Sequence, residues 1–346
     1  MESSRIKIYI GFITYGKLTA KYLPYFLPSL KRQTYKDCKI LAIDNSESED
    51  NENAAYIKNN FPEIELIWAG KNLGFAKAYN IMIRQAVKDG AEYFLALNPD
   101  MVLEFDMIEK IMKVVVSEEK IGAVAPKILR WDFENNLKTN QLDSFGLAVN
   151  QEHRFYDKKQ GEVDDKSKQD AKEIFGFTGA ATLLNLQALE DVAYANDQGK
   201  KEYFDELMFM YKEDGDLSYR LRLADWKIVL APEAVAYHNR KAASIGETDI
   251  KIALNRRNKN RQVKKWSFLN QWILLLKLKN LPFPRGVRLA TFWYQFKCLL
   301  FIIFFEPYLL KELIKVWQLR PEIKKRRQQL KVRVGIKEIE KFMDNL

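Results

Sequence analysis

Short apolar runs alternate with longer amphipathic segments along the first 120 residues of the chain. The runs are rich in β-branched and aromatic residues, which is typical of buried strands, and they cover residues 6–13, 39–44, 64–68 and 93–97. The segments between them carry apolar residues at helical spacing, which predicts helices over residues 22–33, 75–89 and 105–117. This alternation predicts an α/β fold with a mostly parallel central sheet flanked by helices.

The pattern changes between residues 130 and 173, where the chain becomes polar and charged. We expect an exposed excursion or hairpin there that adds little to the core. Ordered patterns return over residues 174–236, with a helix in YKEDGDLSYRLRLAD and a strand in WKIVLA. We therefore predict a catalytic domain over residues 1–246 and a helical segment over residues 247–346.

The helical segment carries most of the positive charge. The chain has a formal net charge of +10, and residues 251–346 hold 23 Lys and Arg against 6 Asp and Glu. These basic residues are interleaved with Trp, Phe, Leu and Ile, which favours an anionic membrane surface over nucleic acid as the partner. Four aromatic residues suit the headgroup boundary: Trp266, Trp272, Trp293 and Tyr294.

We predict amphipathic helices that lie in the plane of the membrane, and two alternatives stay open. Residues 291–310 would span a membrane if Lys297 and Glu306 reached the interface, although the uncharged run 298–305 is shorter than the ~20 residues that a spanning helix needs. The other alternative is a helical bundle that packs on the catalytic domain and exposes its Lys and Arg to solvent.

The remaining composition narrows the class of protein. A hydrophobic content of 47% predicts a packed core. The chain has two cysteines, Cys38 and Cys298, too far apart for a CxxC pair, and its N-terminus lacks the pattern of a secretory signal. We expect a cytoplasmic protein that is peripheral on the inner face of the cell membrane, and the sequence leaves its oligomeric state unknown.

A motif near the N-terminus has the spacing of a phosphate-binding loop. Residues 11–17 read GFITYGK, but Leu18 stands where that loop has the Ser or Thr that holds magnesium. No GxGxxG follows a predicted strand either. These departures argue against P-loop and dinucleotide-binding proteins, and a nucleotidyltransferase would need a glycine-rich basic loop where only Lys17 is present.

Polar residues follow successive predicted strands at Thr14, Asp44, Asn72 and Asp100. Ligands of open α/β sheets bind at the carboxyl ends of strands. One aspartate could accept hydrogen bonds from a base or ribose, and another could bind a divalent ion, which prefers oxygen ligands. Aspartate and asparagine are also common turn formers, so each residue alone is a weak signal.

Seven segments in order over residues 5–245 resemble the inverting family 2 glycosyltransferases, in particular their bacterial rhamnosyltransferase-like branch. They are FITYGK, LAIDNSES, KNLGFAKAYN, LALNPDM, FTGAATLLN, FDELMFMYKEDGDLSYRLR and AVAYHNRKAAS. The resemblance implies a GT-A fold, which is Rossmann-like, and transfer of a sugar, rhamnose in this branch, from a nucleoside-diphosphate donor. The implied acceptor is a hydroxyl of a lipid-linked or cell-surface glycan.

The same resemblance assigns site residues. It implies that eight residues form the nucleotide pocket: Thr14, Tyr15, Asp44, Ser46, Asn72, Gly74, Asn80 and Asn98. It makes Asp100 the sole carboxylate of an Asn-Pro-Asp motif and pairs it with His238 as a ligand of Mg²⁺ or Mn²⁺, with Arg240 and Lys241 nearby.

On the acceptor side, the resemblance implies contacts from Gly179, Ala180 and Glu213, and makes Asp214 the general base. Carboxylates at a helix start are also favoured by the helix dipole and need no catalytic role there. Two departures stand out: Asp225 replaces the usual Gly before Trp226, and AYANDQGKKEY is inserted before Phe204. They leave a non-catalytic, nucleotide- or membrane-binding relative of these enzymes as the alternative function.

Overall fold

The computed structural model describes residues 8–240 and 260–344. The strands are β1 Ile8–Thr14, β2 Cys38–Asp44, β3 Glu65–Trp68, β4 Tyr93–Leu97, β5 Met101–Leu103, β6 Ile121–Asp132, β7 Leu137–Ser144, β8 Leu147–Asn150, β9 Phe155–Asp157, β10 Lys172–Glu173, β11 Ala181–Asn185, β12 Tyr194–Ala195, β13 Lys201–Glu202, β14 Lys227–His238 and β15 Met343–Asp344.

The α-helices are α1 Gly16–Ala20, α2 Leu23–Lys31, α3 Glu52–Asn60, α4 Gly74–Lys88, α5 Met107–Val115, α6 Leu186–Val192, α7 Glu213–Leu223, α8 Arg261–Leu278, α9 Arg285–Phe305, α10 Leu310–Gln318, α11 Arg320–Gln328 and α12 Ile336–Glu340. A 3₁₀ turn, Pro307–Leu309, joins α9 to α10. The strands and helices predicted in the first 120 residues all form, with ends that differ by a few residues.

The central sheet has the order β10-β14-β6-β11-β4-β1-β2-β3, with β5 and β7 paired beside it. Strands β3, β2, β1 and β4 are parallel, and β6 and β14 are parallel to each other. Strand β11 runs antiparallel between β4 and β6. In the β1–β2 register Thr14 lies beside Asp44. The carboxyl ends of the parallel strands therefore meet at one edge, as the pattern predicted.

Helices cover both faces of this sheet. Helix α4 buries Tyr79 and Met82 on one face, where they join side chains of β11 and α6. Helices α2 and α5 bury Phe26 and Ile111 on the other face. A sheet covered on both faces explains why its strands read as nearly continuous apolar runs. The mixed α/β fold class is confirmed.

The polar stretch 130–173 contributes more to the core than we predicted. Strand β6 continues to Asp132, β7 pairs with it, and β8 pairs with β9. Trp131, Phe145 and Val149 are buried there. The expectation of a mainly exposed excursion was wrong because several of its aspartates are themselves buried, each paired with a cation supplied by a distant segment.

The C-terminal segment forms helices, as predicted, and part of it packs on the catalytic domain. Ile273, Leu274 and Leu278 of α8 share an apolar cluster with Tyr219 and Leu223 of α7. Helix α9 is different: it is long and apolar enough to cross a membrane by length and composition, and little of it is buried. The predicted domain boundary at residue 246 lies outside the described residues and stays a prediction.

Candidate active site

Asp44 organises the first corner of the strand-end edge. Its Oδ1 accepts hydrogen bonds from the Thr14 hydroxyl at 3.0 Å and the Ser46 hydroxyl at 2.6 Å, and Oδ2 accepts from Asn51 Nδ2 at 2.6 Å. The backbone N–H of Gly16 donates in turn to Ser46 Oγ. Asp44 is fully buried. This network holds the loops after β1 and β2 together, so the predicted residues Thr14, Asp44 and Ser46 are adjacent.

Asn72 and Gly74 form the second corner, at the start of α4. Asn72 Oδ1 accepts a hydrogen bond from the Gly74 N–H at 2.9 Å, and Asn45 Nδ2 donates to the Gly74 carbonyl at 3.3 Å. Gly74 has φ of +74°, and a Cβ there would lie 2.4 Å from the Phe209 carbonyl oxygen. Only glycine fits at position 74, because the backbone of Phe209 approaches it so closely.

Two other predicted pocket residues lie farther from this network. Asn80 is fully buried in α4, where its amide bonds the backbone of Tyr203 and Phe204 and the carboxylate of Glu206. Its polar atoms are thus used within the protein, and Asn80 supports the 203–206 loop. Tyr15 extends outwards, and its hydroxyl donates to Glu47 at 2.9 Å.

The Asn-Pro-Asp motif lies at the end of β4. The Asn98 N–H donates to the Ala180 carbonyl at 2.8 Å, which brings the segment after β4 into contact with the segment before β11. Asp100 precedes β5, whose antiparallel register with β14 places Met101 opposite His238. As a result, His238 Nε2 lies 3.3 Å from Asp100 Oδ1. The two predicted metal ligands are brought together from positions 138 residues apart in the sequence.

Asp143 orients His238 from the other side of the ring. Its buried Oδ2 lies 2.9 Å from His238 Nδ1, and its Oδ1 lies 3.7 Å from Arg240 Nη1. Burial disfavours the charged imidazolium, but the carboxylates of Asp100 and Asp143 raise the pKa of His238 to about 10. The pair of carboxylates thus favours positive charge at this position, whether a proton or a metal ion carries it.

These residues fit a divalent cation. One carboxylate oxygen and one imidazole nitrogen converge, and metal-bound histidines characteristically donate their other ring N–H to a carboxylate, the position of Asp143. Among the described residues no group of three or more His, Cys, Asp or Glu could hold a metal. Mg²⁺-type sites bind the ion through as few as one protein carboxylate, here Asp100, and leave most positions to substrate phosphates and water.

Asp214 lies at the start of α7 and contacts the segment that contains Gly179. Its Oδ2 accepts a hydrogen bond from the Gly179 N–H at 3.1 Å, and its Oδ1 accepts from the Gly215 N–H at 2.8 Å. Burial raises the pKa of Asp214, although these two N–H groups oppose the rise. The two residues before α7, Tyr211 and Lys212, have φ of 75° and 71°. Such left-handed conformations are strained for non-glycine residues and concentrate at functional sites.

Glu213 is buried beside Asp214 with an unsatisfied oxygen, Oε2. Burial and then the charge of Asp214 raise the pKa of Glu213 well above its usual range. Asp157, whose Oδ1 is also buried without a partner in the described part of the chain, forms an ion pair with Arg240. Buried polar atoms without partners are uncommon, and two of those in the described residues belong to Glu213, next to Asp214 in sequence, and to Asp157, whose charge acts on Asp214.

Two acidic residues of this site, Asp143 and Asp157, were missed in the sequence. Both lie in the stretch that we expected to be exposed, and no local motif marks them. Their partners, His238 and Arg240, lie at the end of β14 and just after it, at the last strand of the central sheet in sequence. Lys241, which we placed beside this site, and the last residue of the AVAYHNRKAAS segment, Ser244, lie outside the described residues.

Comparisons with known proteins identify the fold and the family of the chain. The family model described as glycosyl transferase family 2 matches residues 9–192. N-acetylglucosaminyl-diphospho-decaprenol L-rhamnosyltransferase of Mycobacterium tuberculosis, in strains CDC 1551 / Oshkosh and ATCC 25618 / H37Rv, is 26% identical over 240 residues. That match covers 65% of this chain and 74% of the relative.

A solved structure, described as the crystal structure of GalNAc-T7 with UDP, GalNAc and Mn2+, has a TM-score of 0.54 and 12% sequence identity. The match covers 79% of this chain and 48% of that one, so this chain spans about half the length of that structure. At this identity the match concerns the fold, which is the expected GT-A type. With a family model over more than half of its length and the GT-A fold, the chain is a glycosyltransferase that belongs to glycosyl transferase family 2.

Proposed function

We propose that the protein is an inverting, metal-assisted glycosyltransferase that moves a sugar, rhamnose, from a nucleoside-diphosphate donor to a hydroxyl of a lipid-linked glycan. The observation that carries this proposal is that the candidate metal ligands and the candidate base converge at one sheet edge. Asp100 and His238 lie 3.3 Å apart, and Asp214 accepts its hydrogen bond from the neighbouring Gly179 segment. The relative from Mycobacterium tuberculosis is named for L-rhamnose transfer to a lipid-linked acceptor.

In the proposed reaction Asp214 accepts the proton of the acceptor hydroxyl. The acceptor oxygen forms a bond to the anomeric carbon as the bond from that carbon to the diphosphate oxygen breaks. The configuration inverts because attack and departure occur on opposite faces. Gly179 and Gly215 fix the two oxygens of Asp214 with backbone N–H groups, which holds the base in one orientation.

Glu213 and the Asp157–Arg240 pair surround this base. Glu213 has an unsatisfied Oε2, which could hydrogen-bond an acceptor hydroxyl. With its pKa raised by burial, Glu213 can itself donate a hydrogen bond when protonated. Burial raises the pKa of Asp214, and the positive charge of Arg240 opposes that rise. We assign Gly179, Ala180 and Glu213 to the acceptor side.

Asp100 and His238 would hold Mg²⁺ or Mn²⁺, and such an ion neutralises negative charge on a departing diphosphate as a Lewis acid. Asp143 keeps Nε2 of His238 directed at Asp100 by accepting the Nδ1 proton. On the other side of the edge, the Thr14–Asp44–Ser46 network and the Asn72–Gly74 turn are assigned to the nucleoside, with Tyr15 and Asn98 beside them.

The acceptor proposal also assigns a membrane surface to α9 and α10. Both helices expose large apolar side chains: Leu289, Phe292, Trp293, Phe296, Leu300, Ile303, Phe304, Phe305, Ile314 and Trp317. An exposed apolar surface of this extent, rimmed by basic residues, is typical of a membrane or protein interface. A lipid-linked acceptor at the cytoplasmic face of the membrane accounts for both features, so we place the enzyme there as a peripheral protein.

Calorimetric titration with UDP, dTDP and GDP, each with and without Mn²⁺, tests the donor assignment first. We expect one nucleotide to bind in a metal-dependent manner, and Asp100→Ala to remove the metal dependence. Transfer from dTDP-rhamnose to N-acetylglucosaminyl-diphospho-decaprenol in detergent tests the reaction. Absence of both nucleotide binding and transfer would favour the alternative of a non-catalytic membrane-binding relative.

A further inference from the structure

A cluster of fully buried charges lies behind α7, away from Asp214. Lys277 of α8 forms ion pairs with Asp205 and Asp216, at 2.6 Å from its Nζ to the Asp205 carboxylate. Arg326 of α11 pairs with Asp205 and Glu202, each at 2.7 Å. The cluster thus has two cations from the C-terminal helices and carboxylates from three segments of the catalytic domain.

The cluster is balanced in charge. Its buried carboxylates are Glu202, Asp205 and Asp216, and its buried cations are Arg220, Lys277 and Arg326. The ring of Tyr194 lies against the three cations, with centroid distances of 4.4, 5.2 and 5.8 Å. Removing one partner from such a cluster leaves an uncompensated buried charge.

The segments that meet here include the insertion AYANDQGKKEY. It forms the hairpin β12–β13, and it contributes Tyr194 and Glu202 to the cluster. Its backbone at Ala195 exchanges two hydrogen bonds with the Gln329 side chain, just after α11. The insertion therefore contacts the C-terminal helices, which accounts for a departure whose role the sequence alone left open.

Lys277 joins the two sides of the candidate active site. Asp216 lies two residues after Asp214 on α7. Asp205 begins the loop that runs to Phe209, whose carbonyl accepts the N–H of Phe75 at the start of α4. A single ammonium group thus holds the helix of the proposed base and the loop that contacts the proposed nucleotide pocket.

We propose that Lys277 is a positioning residue for the glycosyl transfer: the C-terminal helices supply the counter-charge that fixes α7, and with it Asp214, relative to the 205–209 loop. This inference rests on the proposed role of Asp214 as the base. It gives the C-terminal segment a part in catalysis that is separate from membrane contact. A base displaced by about 1 Å is expected to lose on the order of 100-fold in rate.

The test compares three variants of the full-length protein with dTDP-rhamnose and N-acetylglucosaminyl-diphospho-decaprenol. Lys277→Met removes the cation and leaves one carboxylate charge in excess. Lys277→Met with Asp205→Asn restores the charge balance but not the link to Asp216. Lys325→Met is the control, because Lys325 pairs with Asp197 on the protein surface. Thermal unfolding reports the fold, and hydrogen exchange of the α7 amides reports the position of the helix.

We expect the double variant to unfold close to the wild-type temperature, with kcat lowered on the order of 10- to 100-fold, donor KM unchanged and faster exchange in α7. The Lys325 control should match the wild type in all four measurements. Wild-type kcat and α7 exchange in the folded double variant would overturn the proposal and make Lys277 a counter-ion only. If the wild type itself transfers no rhamnose, the proposed function fails, and α7 exchange still tests the positioning.

Discussion

Asp214 differs from an ordinary surface aspartate in its surroundings. It accepts two backbone N–H groups, and burial raises its pKa. A general base works only when deprotonated, so the reaction needs a pH above this raised pKa. We therefore expect kcat/KM to fall on acidification, with an apparent pKa above the ~3.9 of an unperturbed aspartate. A pH–rate profile measured with saturating Mn²⁺ checks this.

Replacing the base is the matching test. Asp214→Asn keeps the size of the side chain but cannot accept the proton, so we expect kcat to fall by a factor of about 10² to 10⁴. Nucleotide binding measured by calorimetry should not change. Asp225→Asn is the control, since Asp225 lies at the other end of α7 and pairs with Lys120 on the surface. Full activity of Asp214→Asn would remove the residue from this role.

Asp143 has a separate effect, on the metal site. Asp143→Asn weakens the partner that fixes the His238 ring, and loss of such partners lowers metal affinity by about 10- to 100-fold. We expect that shift in the Mn²⁺ concentration needed for nucleotide binding. The control is Asp165→Asn, an exposed aspartate of the same stretch whose carboxylate accepts hydrogen bonds from Ser167. Equal Mn²⁺ dependence in both variants would contradict the role of Asp143.

Among the secondary-structure elements, the apolar pattern predicted best the strands whose two faces are both buried. Strands β1, β2 and β4 follow this rule, and helices α2, α4 and α5 show the matching helical spacing. Strand β3, at the sheet edge, is only partly buried. The hairpins between residues 130 and 173 do not, because Asp143, Asp157 and Asp164 are buried with partners that only the fold brings near. A charged residue in the core cannot be told from a solvated one without its partner.

Helix α9 exposes two neighbouring aromatic side chains, Trp293 and Phe296. Trp293 is 52% exposed and Phe296 is 42% exposed, and the centroids of their rings lie 5.8 Å apart. Because neither side chain is in the core, Trp293→Glu with Phe296→Glu should leave the fold intact. Burial of such rings contributes about 1.5–3 kcal/mol each, so losing both should lower vesicle affinity by about 100-fold or more.

Co-sedimentation with vesicles of phosphatidylglycerol and phosphatidylcholine measures this, with Leu137→Glu, an exposed site on the β7 hairpin, as the control. Alkaline carbonate extraction separates the two membrane arrangements, since helices in the plane are released and a spanning helix is not. Unchanged vesicle binding of the α9 variant would contradict a membrane role for this face.

At the scale of the whole molecule, the uneven charge of the sequence is partly internal. The catalytic domain has an excess of acidic residues and the C-terminal segment an excess of basic ones. Lys277 and Arg326 are buried against carboxylates of the catalytic domain, whereas Lys325, Lys331 and Arg333 pair with Asp197 or Asp191 at its surface. The basic segment is therefore both a part of the core and a candidate membrane surface, which a charge count cannot separate.

This division predicts how stability depends on the C-terminal helices. Arg326→Met leaves Asp205 and Glu202 with less compensation inside the protein, and breaking a buried pair costs about 3–5 kcal/mol in the free energy of unfolding. Lys325→Met, one residue away, removes surface pairs with Asp197 and Glu322 and should leave the free energy of unfolding nearly unchanged. Urea unfolding monitored by circular dichroism measures the effect of both variants.

Because the C-terminal helices supply these buried counter-charges, we expect deletion of residues 260–346 to prevent folding of the catalytic domain as well as membrane binding. A stable, nucleotide-binding fragment of residues 1–259 would show that the catalytic domain does not need these counter-charges.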